Sequence, residues 1–399
     1  MFRVLSLFCL ILSSSFSEEK PKTICLNMIV KDEAEVIENC LNSVKSLIDY
    51  WVIVDTGSSD STIEIIKNTL RDIPGELHER PWVNFGYNRQ EALKLAEGKS
   101  DYLFFIDADE EVFLKTDLDK CSLQKDGYFV SIHDAKNKVN FSRLLLIKND
   151  LSWRWEGVLH EIVISDEKKS LGTREDFYCE TYYSGNRSKN PDKYVNDAKI
   201  LQEEFDKDPT NARTVFNLAR SYSICGDYEK ALAYYIKRMQ MPGPPDDIYH
   251  CLYSIATIQQ KLESPENEFI NTYLAAYLNR MDRIEPLFAI GKYYFDQKNF
   301  FYAYLFFKEI AFKPLPKNCN DVSYEKYEWE ALLYLAESSR CCGLINKYLE
   351  AVVMLLDRPK LPEEVKREIL QFDGPIIESF KKGFFNNGEN SFILELQPH

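Results

Sequence analysis

From Thr23 to about Ser165, short apolar runs alternate with stretches whose apolar residues recur at helical spacing. TICLNMIV is continuous and reads as a buried strand, whereas in KDEAEVIENCLNSVKSLID the residues Val36, Ile37, Cys40, Leu41, Val44 and Ile48 share one helical face. YWVIVD predicts a second strand, TGSSDST a polar turn with Ser/Asp capping chemistry, and IEIIKNTL a second helix. ELHER gives a third strand, YNRQEALKLAEG a helix stopped at Gly98, and DYLFFID a fourth strand. Such β-α-β-α-β-α-β alternation predicts a parallel sheet with helices on both faces. GYFVSIH, VNFSRLLLIK and RWEGVLHEIVIS read as antiparallel strands that complete a mixed sheet. Beyond YYSGNRSKNPDK the period changes, and from Pro191 onward nearly everything reads as helices of about 12–18 residues.

Composition narrows the function. The 399 residues suggest two or three domains, and a net charge of −14 argues against non-specific nucleic-acid binding, which needs Lys and Arg to neutralise phosphates. At the N-terminus, Arg3, an apolar run from Val4 to Leu12 and then small residues predict a signal peptide over 1–17, with a short anchor as the rival. A signal would place the chain in a secretory lumen or at a membrane, and its absence in the cytoplasm. The ten cysteines lack C-x-x-C units and read mainly as buried thiols rather than a zinc site or disulfide framework. Asn140-Phe-Ser and Asn186-Arg-Ser are glycosylation sequons in a eukaryotic secretory compartment.

The acids collect at predicted strand ends: Lys31-Asp32-Glu33 after the first, Asp55 at the second, Asp107 and Asp109 at the fourth. Open α/β sheets bind ligands there. Asp107 and Asp109 flank the small Ala108, so both carboxylates can converge on one hard cation, Mg²⁺ or Mn²⁺, that bridges a diphosphate. An isolated D-x-D more often caps a turn; its place at a strand end beside Asp55 favours the metal. Glu110 and Glu111 are expected to shape or solvate that turn. No G-x-x-x-x-G-K-[ST] or G-x-G-x-x-G loop is present, which disfavours P-loop kinases and dinucleotide dehydrogenases.

In order and spacing, ICLNMIVKDEAEVIENCLNSV, VIVDTGSSDSTIEII and YLFFIDADEEV resemble family 2 glycosyltransferases of the GT-A fold, the last matching their D-x-D motif. SWRWEGVLHEIV resembles a segment of the branch carrying tetratricopeptide-like repeats, and together these likenesses cover most of residues 23–340. The resemblance implies an inverting, metal-dependent transfer from a nucleotide sugar to a hydroxyl on a glycan or protein acceptor. By that resemblance, Val30, Asp32 and Asp55 hold the nucleotide base, with Asp55 able to accept a uracil imide N–H, so that a UDP-sugar is favoured. Arg89 faces the nucleotide, Asp107 the ribose or the metal and its water, and Asp109 and His160 ligate the metal. Glu161 is the first candidate base and Asp150 the second. Gln90 after Arg89, and KDE at residues 31–33, depart from the commoner Asn and KNE. Trp153 and Trp155 alternate at period two, and their rings either stack on an acceptor sugar or fill the core. Arg143 either pairs with a diphosphate or points to solvent, and His78 and His133 read as structural.

In the C-terminal half, Leu218-Ala219, Tyr222, Gly226, Ala231 and Tyr235 fit tetratricopeptide spacing, and Ile290-Gly291, Tyr294, Phe300, Ala303 and Phe307 repeat it. The expected layout is a GT-A domain over 23–185, an all-α tetratricopeptide-like domain over 191–380 and a loose tail over 381–399. The repeats bind a peptide or protein, select the acceptor, or buttress the catalytic domain. A repeat-based binding protein with a vestigial transferase domain is the alternative, and a nucleotide-sugar phosphohydrolase a third reading.

Overall fold

The computed structural model describes residues 20–136, 138–150, 152–316 and 322–386. The N-terminal segment read as a signal or anchor lies outside them, and no helix among the described residues is long and apolar enough to cross a membrane.

The predicted alternation is present as β1 (Ile24–Val30), α1 (Ile37–Val44), β2 (Tyr50–Asp55), α2 (Thr62–Thr69), β3 (Gly75–Glu79), α3 (Phe85–Leu95) and β4 (Tyr102–Phe105). β1 pairs in parallel with β2 on one side and β4 on the other, and β2 pairs with β3. Nearly every residue of β1, β2 and β4 is buried, as their unbroken apolar runs require of strands covered on both faces. The sheet continues through β5 (Glu110–Leu114), β6 (Gly127–Asp134), β7 (Val139–Lys148) and β10 (Leu171–Thr181), in the order β3-β2-β1-β4-β7-β6-β10-β5. β7 runs antiparallel to both β4 and β6.

Two expectations change here. RWEGVLHEIVIS is a hairpin rather than a single strand, with β8 (Trp153–Glu156) and β9 (Ile162–Ser165) forming a separate two-stranded sheet. Gly157 and His160 both adopt positive φ, 103° and 54°, and turn the chain between them. β5 grows directly out of the acidic run, and it pairs with the half-polar β10 at the sheet edge.

The helical half comprises α4 (Lys193–Lys207), α5 (Ala212–Ile224), α6 (Tyr228–Met239), α7 (Pro245–Lys261), α8 (Glu266–Asn279), α9 (Glu285–Asp296), α10 (Phe300–Ile310), α11 (Ala331–Cys341), α12 (Ile345–Leu356) and α13 (Glu363–Asn386). α13 carries helix past residue 380, and residues 387–399 lie outside the description. A Cβ on Gly291 would sit 3.0 Å from the Phe307 ring, so the glycine lets α9 and α10 approach as the repeat spacing implies. A short strand, β11 (Val322–Ser323), returns to pair with β7.

The two halves share a core. Leu159 from the β8–β9 turn, Ala198 and Leu201 from α4, and Leu218 from α5 form one buried cluster, flanked by Phe85 and Val158. α3 meets the turn directly, because a Cβ on Gly86 would lie 2.2 Å from the Gly157 carbonyl oxygen. Gly86→Ala should therefore displace the turn and cost about 1–3 kcal/mol by urea unfolding, as overpacking does elsewhere.

Candidate active site

The chain reverses direction across the sheet at β1, with β2 to one side and β4 to the other. Ligands on such sheets enter at this switch point, beyond the strand ends. A cleft of about 1150 Å³ opens there. It is large against the roughly 300–1,000 Å³ of ordinary small-molecule sites.

One corner is built from the loops after β1 and β2. The Val30 carbonyl accepts from Thr56 N at 2.9 Å, and Asp32 at φ 53° accepts from Ser59 N at 2.7 Å while its own N–H donates to Ser58 Oγ at 2.9 Å. Asp55 is 1% exposed; its Oδ1 accepts from Gly57 N and Ser58 N at 2.9 and 2.8 Å, and its buried Oδ2 has no partner among the described residues. A buried carboxylate oxygen left unpaired is costly, and a ligand N–H would remove that cost. Val30, Asp32 and Thr56 line the cleft, and Asp55, next to Thr56 in the chain, is not among the lining residues.

The four acids after β4 separate into distinct environments. Asp107 accepts from Arg89 Nη2 at 2.5 Å and from Arg143 Nη1 at 3.1 Å. These two guanidinium groups outweigh the desolvation of its half-buried carboxyl and hold it well below the usual carboxylate range. Both of its oxygens are thus occupied. Asp109 accepts from Gly185 N at 3.2 Å and Glu33 from Asn186 N at 3.1 Å, and a Cβ on Gly185 would lie 3.1–3.2 Å from both carboxylates. Burial, then the proximity of Asp107, raises the Asp109 carboxyl; burial, with smaller contributions from Asp109 and Asp107, pushes Glu33 up to about 7. Of the two expectations for Glu110, it shapes the turn by accepting from Asp107 N and does not solvate it, being 3% exposed and ion-paired with Arg143. Glu111 lies opposite Glu180 on β10.

The folded protein retains on Glu33 a proton that an unfolded chain releases near pH 4.5. Folded protein then binds more protons than unfolded, so stability without added cations should fall as pH rises from about 4.5 to about 7. Glu33→Gln should flatten that fall in urea midpoints measured across the same range; an unchanged slope would contradict it.

The hairpin turn answers how neighbouring His160 and Glu161 can face one space. In an extended strand they would diverge, but at the left-handed His160 both line the cleft. Glu161 accepts from Arg89 Nε at 2.6 Å through Oε1, so Arg89 ties it to Asp107. The Arg89 guanidinium lies over the Trp155 ring at 5.0 Å. Burial, reinforced by Arg220, Arg187, Arg213 and Lys193, lowers His160 to about 4. Trp153 is buried and Trp155 half-buried; both line the cleft, and both indole N–H groups are buried without a partner. Gln90 Oε1 accepts from Trp155 N at 2.7 Å, fixing α3 to β8. Asp150 is turned to Ser152 N and Lys169 and is not among the residues lining the cleft.

Among the described residues no three His, Cys, Asp or Glu side chains group tightly enough to hold a metal. Asp107, Asp109 and His160 therefore do not form a three-ligand cage. Asp109 and Glu33 do offer two hard oxygen donors in a partly buried spot, which fits a cation completed by phosphate oxygens and water. The sequence reading placed Glu33 at a strand end without a role; its approach to Asp109 depends on the distant Gly185–Asn186 turn.

Residues 25–121 match Glycosyl transferase family 2. A TPR repeat-containing protein of Synechococcus elongatus is 27% identical over 67% of this chain and 68% of its own length. The SPbeta prophage-derived glycosyltransferase SunS of Bacillus subtilis is 34% identical over 25% of this chain and 22% of its own. Residues 1–349 of S. aureus TarS align structurally over 59% of this chain and 80% of that one, with 14% identity and a TM-score of 0.29.

Proposed function

We propose that this protein, whose residues 25–121 are a family 2 glycosyltransferase domain joined to tetratricopeptide-like repeats, transfers a sugar from a nucleoside-diphosphate donor to an acceptor hydroxyl with inversion. The observation that carries this reading is the switch-point cleft, where the Asp109–Glu33 pair and the Arg89 fork border one space, with the unpartnered Asp55 oxygen on the residue next to the lining Thr56.

Asp55 Oδ2 accepts the imide N–H of uracil, which makes a UDP-sugar the favoured donor, while Val30 and Asp32 frame the base. Asp109, with Glu33, holds Mn²⁺ or Mg²⁺. Such an ion neutralises the charge that grows on the departing diphosphate. Asp107 acts through Arg89 and Arg143, keeping both guanidinium groups at the floor of the cleft. Glu161 takes the acceptor proton through Oε2, since Arg89 occupies Oε1 and fixes the carboxylate's direction. His160 shapes the turn that places Glu161, and Trp153 and Trp155 form the acceptor-side wall.

The test is calorimetric titration of the full chain with UDP, with and without Mn²⁺. Binding that Mn²⁺ tightens at least about tenfold, and that Asp55→Ala weakens, is expected. No nucleotide binding, with peptides still held by the helical half, would favour a binding protein with a vestigial transferase domain.

A further inference from the structure

One wall of the cleft is made by the seam between the two halves, and it gathers cations. Arg187 from the turn after β10, Lys193 at the start of α4 and Arg213 on α5 line the cleft. Arg220, two turns further along the same face of α5, joins them around His160. Arg187 is ion-paired with the buried Asp197 and lies over the Phe85 ring at 4.8 Å. Arg213 donates to the His160 carbonyl at 2.7 Å. Lys193 Nζ lies 3.5 Å from Ser188 Oγ and over the Tyr194 ring at 5.4 Å.

Among the described residues, Lys193, Arg213 and Arg220 are ion-paired with no carboxylate. This is unusual for a chain in which 63 acids outnumber 49 Lys and Arg, so the concentration is not a product of composition. Like charges gathered in a concave, partly desolvated wall repel one another. Asp197 pairs directly with Arg187, and Glu161, Glu156 and Asp247 near Arg213 and Asp109 near Lys193 offset part of the rest without closing an ion pair, which leaves these donors available to a ligand. Guanidinium forks match the paired oxygens of phosphate and carboxylate. Arg187 and Lys193 flank the Asp109 side of the cleft, whereas Arg213, bonded to the His160 carbonyl, flanks Glu161, the group that an acceptor must reach.

We propose that this seam binds a phosphate or carboxylate on the acceptor, so that the enzyme glycosylates an anionic substrate and the first helices of the repeat half read its charge. The proposal rests on the transferase reading. It explains why α4 and α5 dock on the catalytic domain through a shared core rather than hanging from a linker.

The test uses the full chain and three matched probes, glucose, glucose 6-phosphate and glucuronate, titrated calorimetrically with and without saturating UDP and Mn²⁺. Glucose 6-phosphate, glucuronate or both should bind at least about tenfold more tightly than glucose with the donor half filled. That preference should be lost in Arg213→Gln/Arg220→Gln, and the charged probe that binds identifies which anion the seam accepts. Equal binding of all three probes, or a preference that survives the double substitution, would overturn the proposal. UDP binding in the same titrations reports separately on the transferase reading: UDP bound without an anionic preference removes only the acceptor proposal. An anionic preference without UDP binding removes the transferase reading and, with it, the assignment of the seam to an acceptor.

Discussion

Asp109→Asn should lower nucleoside-diphosphate release by about 10²–10³-fold or more, the scale on which loss of a group stabilising transition-state charge is felt. The substitution keeps shape and the bond from Gly185 N but removes the negative charge that holds a cation against the leaving diphosphate. Its burial and its nearness to Asp107 raise the carboxyl in the cation-free protein, so neutralising it should not destabilise the fold. The loss should appear mainly in kcat at saturating donor, with the urea midpoint unchanged or higher. Retention of wild-type turnover by the folded variant would remove Asp109 from the mechanism.

Arg143→Met is expected to act on stability instead. Arg143 bridges Asp107 and the nearly inaccessible Glu110, joining β7 to the loop after β4 and to the start of β5. Removing one member of such a buried network leaves uncompensated charge and typically costs about 3–5 kcal/mol. Arg143→Met/Glu110→Gln should recover a substantial part of that loss, because the stranded carboxylate is then neutral. Urea unfolding of the two variants checks both statements. If the single substitution is neutral, or the second adds further destabilisation, the bridge has been misread.

The strands of the parallel core were legible because β1, β2 and β4 are buried on both faces and so carry unbroken apolar runs. The tetratricopeptide spacing was legible because small residues such as Gly291 must face aromatic ones such as Phe307 at each crossing. The β8–β9 hairpin escaped because its turn, GVLH, is apolar and depends on left-handed conformations at Gly157 and His160 rather than on polar turn residues. In the acid run, the sequence showed four neighbouring carboxylates but not their partners. Arg143 comes from a strand more than thirty residues away and the Gly185–Asn186 turn from still farther, and these contacts divide the acids into a network member, a buried ion-pair partner and a candidate cation site. The cationic seam was equally hidden, since its members are scattered between Arg187 and Arg220 and meet only when α4 and α5 dock.

The central claim is that this cleft turns over a nucleotide sugar, and it is tested most directly by incubating the purified full chain with a panel of nucleotide sugars and Mn²⁺ and measuring nucleoside-diphosphate release. The account predicts release from at least one donor, a UDP-sugar foremost, stopped by EDTA and lost in Asp109→Asn. Release from no donor by the folded protein, or release unaffected by both EDTA and Asp109→Asn, would contradict it.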